Sequence, residues 1–223
     1  MSLLKKVQNL PTSATLFILF CACIVAGNET LFRLSDRLLV AVEQKYGEFA
    51  RQRLITWQTL INTDESKSDL EKMEKVNQFF NQMTFVDDII HWKKKDYWAT
   101  PVEFLVTKGG DCEDFSLAKY FTLKVMGIPE GKMNMTYVKS LELNQAHMVV
   151  TYYATPDAEP LVLDNLVPEI KLSSQRQDLL PVYSFNGSGL WLAKARGRGK
   201  KIGTSDNLKK WEDLLERMPE ALL

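Results

Sequence analysis

An α+β fold follows from three observations. Apolar residues recur at helical spacing through the first half of the chain, and the period changes to two beyond it. Gly127 and Pro129 stand at the change, where a helix must stop. Helices first and strands after, with short turns between the strands, describe helices packed on an antiparallel sheet.

The elements follow in order. Leu34 to Asn62 reads as helical, with Leu38, Leu39, Val42, Tyr46, Phe49, Ile55, Trp57 and Leu60 as its apolar set. Ser35 or Asp36 caps it and Gly47 can divide it. Ser68 or Asp69 starts a second helix carrying Leu70, Met73, Val76, Phe79, Phe80 and Met83 on one face. A less regular stretch, TFVDDIIHWKKKDYWATPVEFL, ends in a short helix that Thr100 caps and Pro101 opens. Asp111 to Met126 is a third strong helix whose apolar positions are too broad for a surface stripe, so it is central and buried. Residues 133–139, 145–154 and 160–165 then read as strands, and 181–193 as a hairpin around Asn186-Gly187-Ser188-Gly189. A basic, glycine-rich linker leads to a short amphipathic helix with Leu208, Trp211, Leu214 and Leu215 facing inward.

The chain has 223 residues, enough for one well-buried domain. It is 45% hydrophobic and 25% charged, with 28 basic and 28 acidic residues. A zero net charge gives no reason to invoke nucleic acid or an anionic membrane surface. At the N-terminus Lys5 and Lys6 precede the apolar run Ala14 to Ala26, which is shorter than the roughly 20 residues of a spanning helix. Residues 1–27 therefore read as an export signal or an uncleaved anchor, with Ala26-Gly27 small enough for cleavage. Phe20 before Cys21 is too large for a lipoprotein cleavage box. Residues 28–195 form the folded domain, and 196–223 the basic linker and final helix.

Cys21 and Cys23 fall in that leader, which leaves Cys112 as the lone thiol of an exported domain. It stands in KGGDCEDFSLAKYF, among three carboxylates, and can be a buried hydrophobe, a metal ligand or a nucleophile. With Asp111 as the helix cap, Cys112 opens a helix whose free N–H groups favour a thiolate and can hold an oxyanion. A nucleophile needs a base, and there are two histidines. His91, among Ile89, Ile90, Trp92 and three lysines, reads as structural or surface. His147 lies in a strand, sharing a face with Val149, Thr151 and Tyr153, and is the better partner. Asp164, a charge placed directly after LVL, belongs there only if it is paired, and it can orient the imidazole. The set is Cys112, His147 and Asp164.

That order of residues, with a helix before an antiparallel sheet, resembles the papain-like and transglutaminase-like fold. The words YWATPVEFL, GGDCEDFSLAKYF, AHMVV and LVLDN are similar to the bacterial transglutaminase-like cysteine proteinases, the LapG family, over about Leu34 to Ala193. The resemblance implies a periplasmic, calcium-dependent endopeptidase that cuts a large surface adhesin near its N-terminus, commonly beside paired alanines, and so releases cells from a biofilm. It implies an inner-membrane receptor that senses cyclic-di-GMP and sequesters the protease through a periplasmic domain; the protease itself would bind neither cyclic-di-GMP nor nucleic acid.

The same resemblance places calcium beside the nucleophile and assigns Asp111 and Glu113 to it; Asp114 adds a third hard oxygen donor. Asp111 and Asp114 also suit helix capping without any metal. An oxyanion donor upstream of the cysteine, common in the wider fold, makes Trp98 and Tyr97 candidates, though either can be a core aromatic. Two other readings fit the residues: a cross-linking transglutaminase, with an amine rather than water as acceptor, and a non-catalytic, calcium-responsive binding module.

Overall fold

Three side-chain caps start three of the helices. Ser35 Oγ accepts from the Leu38 amide to open α1, Asp36–Tyr46. Gly47, at φ 85°, closes it and lets the chain turn directly into α2, Glu48–Asn62. Ser68 and Glu71 form a capping box on α3, Asp69–Phe80, and Thr100 and Glu103 form another on α5, Pro101–Thr107. The computed structural model describes residues 31–62, 67–192, 199–204 and 208–222. The segment 1–27, read as a signal or anchor, lies outside the described residues. Among those described, no helix is long and apolar enough to cross a membrane.

The break at Gly47 resets the helical phase. The buried set is Val42, Ala50, Leu54, Trp57 and Ile61, while Phe49, expected on the apolar face, is 84% exposed. In α3 the buried face is Met73, Val76 and Phe80, and Leu70 is exposed. The irregular stretch carries β1 (Thr84–Phe85) and a single turn, α4 (Asp88–His91). β1 pairs in parallel with β2, Gly109–Gly110, just before the cysteine.

The helix α6, Cys112–Val125, runs through the core with Phe115, Leu117, Ala118, Phe121 and Leu123 buried. Trp57 of α2 donates its indole N–H to Thr122 in the last turn of α6 at 2.9 Å. At its far end Gly127 takes φ 86°, Ile128 N–H returns to Leu123 O at 3.0 Å, and the buried Lys72 of α3 donates to Met126 O at 2.7 Å. These contacts fix the axis of α6, and so the position of its first residue.

The sheet has seven antiparallel strands: β3 (Met133–Ser140), β4 (Gln145–Tyr152), β5 (Leu161–Leu163), β6 (Lys171–Leu172), β7 (Leu179–Asn186), β8 (Gly189–Leu192) and β9 (Lys201–Gly203). Their spatial order is β6-β5-β4-β3-β7-β8-β9. Two strands go beyond the sequence expectation: β6, and β9, which lies inside the stretch read as a linker and pairs with β8. Alternation along β4 splits the sheet. Met148, Val150 and Tyr152 join the main core with α6, while Val149 packs with Val138 and Val162 in a smaller cluster. The final helix, α7 (Lys209–Arg217), buries Trp211 and Leu214, and Trp211 stacks on Phe121 at 5.4 Å.

Candidate active site

Cys112 is the first residue of α6, with Asp111 as the cap; the Asp111 Oδ1 accepts from the Glu113 amide at 3.1 Å. The thiol is buried and donates to Glu113 Oε2 at 2.7 Å. Burial first, then the negative charges of Glu113 and Asp111, push the thiol well above its ordinary range; the Met148 amide of β4 acts in the opposite direction. A helix N-terminus stabilises an anion by about 0.3–1 kcal/mol, up to about 2. Here two carboxylates and desolvation outweigh it, so the expected thiolate is not what these residues favour by themselves.

Gly109 and Gly110 are needed for close approach within the protein. A Cβ on Gly110 would lie 2.1 Å from Asp114 Oδ2, and one on Gly109 would lie 2.7 Å from Thr84 O. The glycines let β1 and the acids close in on the loop.

His147 and Asp164 meet. His147 Nε2 and Asp164 Oδ1 are 2.7 Å apart and both residues are buried. Asp164 is placed by the end of β5 next to β4, and its backbone carbonyl accepts from Asn81, the C-cap of α3, at 2.9 Å. Sequence reasoning missed a third member. Arg176, only 3% exposed, donates from Nη2 to Asp164 Oδ2 at 2.7 Å and is itself gripped by Asp178 through Nε at 2.9 Å and Nη2 at 2.7 Å. Burial would raise Asp164, but the His147 bond and charge, the Leu166 amide and Arg176 overcome it and hold the carboxyl at about 2. An ionised Asp164 accepts, so His147 Nε2 carries the proton and Nδ1 is the nitrogen left for a thiol. Cys112 and His147 share no hydrogen bond with each other; the thiol lies beside Met148, the next residue along β4.

The acids divide into two groups. Asp111 and Asp114 come together with Asp88 of α4, which sequence reasoning also missed, with ligand oxygens within 4.8 Å of one another. Glu113 forms the other group with Asp111 and Cys112, and its Oε1 accepts from Tyr137 at 2.9 Å. Asp114 accepts from the Ala99 amide at 2.7 Å and the Trp92 indole at 3.2 Å. Asp88 accepts from the Tyr97 amide through one oxygen, while its buried Oδ1 has no hydrogen-bond partner among the described residues. Burial, then mutual repulsion, raises Asp111 to about 9; burial raises Asp114 to about 8 and also lifts Asp88. Three crowded carboxylates and an orphaned oxygen fit a hard divalent cation, which takes oxygen ligands and would offset this charge.

The two aromatic candidates separate as well. Tyr97 OH donates to Glu103 at 2.8 Å and receives Arg217 of α7 at 2.7 Å, so it is engaged. Trp98 stacks on Phe185, and its indole N–H has no partner among the described residues. It borders a groove shared with Tyr137, Tyr183 and Lys210. A second groove, of about 510 Å³, is lined by Tyr137, Val138, Ala146 and Val182.

The family model described as bacterial transglutaminase-like cysteine proteinase matches residues 51–192, which include Cys112, His147 and Asp164. The chain belongs to this family. Solved structures of Legionella pneumophila LapG are similar to this cysteine proteinase. One is 46% identical over 82% of this chain and 97% of its own, with a TM-score of 0.71. An EGTA-treated form is 47% identical over the same shares, with a TM-score of 0.72. A calcium-bound form is 46% identical over 82% of this chain and 99% of its own, with a TM-score of 0.70. Comparison with curated protein sequences returned no match. The proteinase thus has the transglutaminase-like fold, helices first and antiparallel sheet after, that the sequence predicts.

Proposed function

We propose that the chain is a calcium-dependent cysteine endopeptidase in which Cys112 is the nucleophile, His147 the base and Asp164 the group that orients it. The observation that carries this reading is the buried 2.7 Å pair of His147 Nε2 and Asp164, which leaves Nδ1 for the thiol at the start of α6. His147 takes the thiol proton, and the sulfur attacks a peptide carbonyl laid in the groove. The Cys112 amide and the unpartnered Trp98 indole N–H receive the oxyanion. His147 then protonates the leaving amine, and water, activated by the same imidazole, hydrolyses the thioester.

Asp88, Asp111 and Asp114 hold calcium, with Glu113 at the edge of the site. The support is their raised, mutually repelling carboxyls and the calcium-bound form of Legionella LapG. The ion supplies positive charge that offsets the acids around the thiol. The substrate is a large surface adhesin cut near its N-terminus, the location is the periplasm, and control comes from an inner-membrane receptor that senses cyclic-di-GMP. The basic, then apolar leader and the family support these readings.

The test is incubation of the purified chain with adhesin N-terminal fragments, with calcium or with EGTA. Two discrete products with calcium, none with EGTA and none from Cys112→Ala are expected. Cross-linked species instead of fragments, or cleavage by Cys112→Ala, would overturn the reading.

A further inference from the structure

This inference rests on the reading of His147 and Asp164 as the base pair. Asp164 has two carboxylate oxygens, and both are committed. Oδ1 serves His147 and the Leu166 amide at 3.0 Å; Oδ2 serves Arg176. The carboxylate cannot rotate without breaking the Arg176 contact. Arg176 in turn cannot swing, because Asp178 grips it at two nitrogens and its own backbone is tied in a turn, N–H to Ser173 O and C=O from Leu179 N.

Stability alone is a poor explanation for this arginine. A buried ion pair stabilises no better than well-packed apolar groups of the same volume. The guanidinium is also left with a buried Nη1 that has no partner among the described residues, which is a cost. Position explains it better. An isolated carboxylate would hold the imidazolium proton tightly and could turn away from it. A carboxylate shared with a fixed guanidinium keeps its direction and exerts a weaker pull.

We propose that Arg176, anchored by Asp178, is a positioning residue that aims Asp164 at His147 and limits how strongly Asp164 retains the imidazole proton. A further charged group near this carboxylate is Lys119 of α6, buried and close enough to act on Asp164, whereas Asn81, just after α3, donates to the Asp164 backbone carbonyl instead. Burial lowers Lys119 to about 7, and it makes no hydrogen bond to the carboxylate among the described residues, so Arg176 supplies the direction.

The test uses the full chain at fixed calcium, as wild type, Arg176→Met, Arg176→Lys and Asp178→Asn. With two histidines in the sequence, imidazole NMR resolves His147 from His91, and His147→Gln makes the assignment. Arg176→Met is expected to move the His147 titration up by about one pH unit and to lower kcat about tenfold with KM unchanged. Arg176→Lys restores the titration but not all of kcat, since it keeps the charge and loses the fork. Asp178→Asn gives a smaller change in the same direction and carries the test if Arg176→Met does not fold. Folded variants with an unmoved His147 titration and unchanged kcat would overturn the proposal. A wild type that cleaves nothing would sink the protease reading instead, and the titration would still decide the role of Arg176.

Discussion

On one side of the site His147, Asp164, Arg176 and Asp178 alternate donor and acceptor, with contacts of 2.7 to 2.9 Å. On the other, Asp111 and Glu113 crowd Cys112, and Asp88 and Asp114 crowd Asp111, with no basic side chain in hydrogen-bonding contact among the described residues. Both sides bury charge. The first neutralises it from within, and its carboxyl falls to about 2. The second does not, and its carboxyls rise to about 8 and 9. The imidazole side is therefore balanced within the polypeptide, whereas on the thiol side it is the proposed calcium that would offset the charge.

The largest expected effect is the loss of that cation. EGTA should take peptide cleavage below detection, and excess calcium should restore it; full activity in calcium-free protein would erase the contrast between the two sides. Next comes the base side itself. Asp164→Asn leaves Arg176 with Asp178 as its acidic partner and should destabilise the fold by about 2 kcal/mol at neutral pH, read by urea unfolding, whether or not calcium is present.

The pH dependence of stability should have opposite signs on the two sides. Asp164 is held at about 2 against an ordinary value near 4. The unfolded chain binds more protons there, so this contribution of about 2 kcal/mol is full above about pH 5 and is lost as pH falls through 2. Asp111 and Asp114 are raised, so in EGTA the folded chain binds more protons, and their effect is greater stability as pH falls from 9 towards 4. Urea titrations of Asp164→Asn and Asp111→Asn against wild type separate the two slopes.

A smaller change should come from Asp88→Asn. It removes one repelling charge and gives the orphaned oxygen's position a neutral group. The EGTA-treated variant should be more stable by about 1 kcal/mol, while calcium no longer raises its Tm. The smallest is Glu113→Gln, which takes a negative charge from the thiol; alkylation of Cys112 in EGTA should quicken several-fold.

The same contrast explains what could be read from the sequence. His147 and Asp164 stood out because period two put the histidine inside a strand and a charge after LVL had to be paired. Asp111 was legible as a cap, and Cys112 as the start of α6. Each of those signals is local. Asp88 reaches the site only because β1 pairs in parallel with β2, and Arg176 only because a turn after β6 folds back on β5. Neither residue lies in a pattern of its own, and contacts between distant segments leave no period. Strands of two or three residues such as β6 and β9 are too short to show alternation. The direction of Glu113, towards the thiol and Tyr137, depends on rotamers set by packing.

The central claim is that the paired imidazole of His147 activates Cys112. The most direct measurement is the alkylation rate of Cys112 in calcium-loaded protein, followed on its own peptide by mass spectrometry, for wild type and a folded His147→Ala. The account predicts a rate at least about 100-fold lower in the variant. Equal rates would show that the thiol acts without His147 and would contradict it.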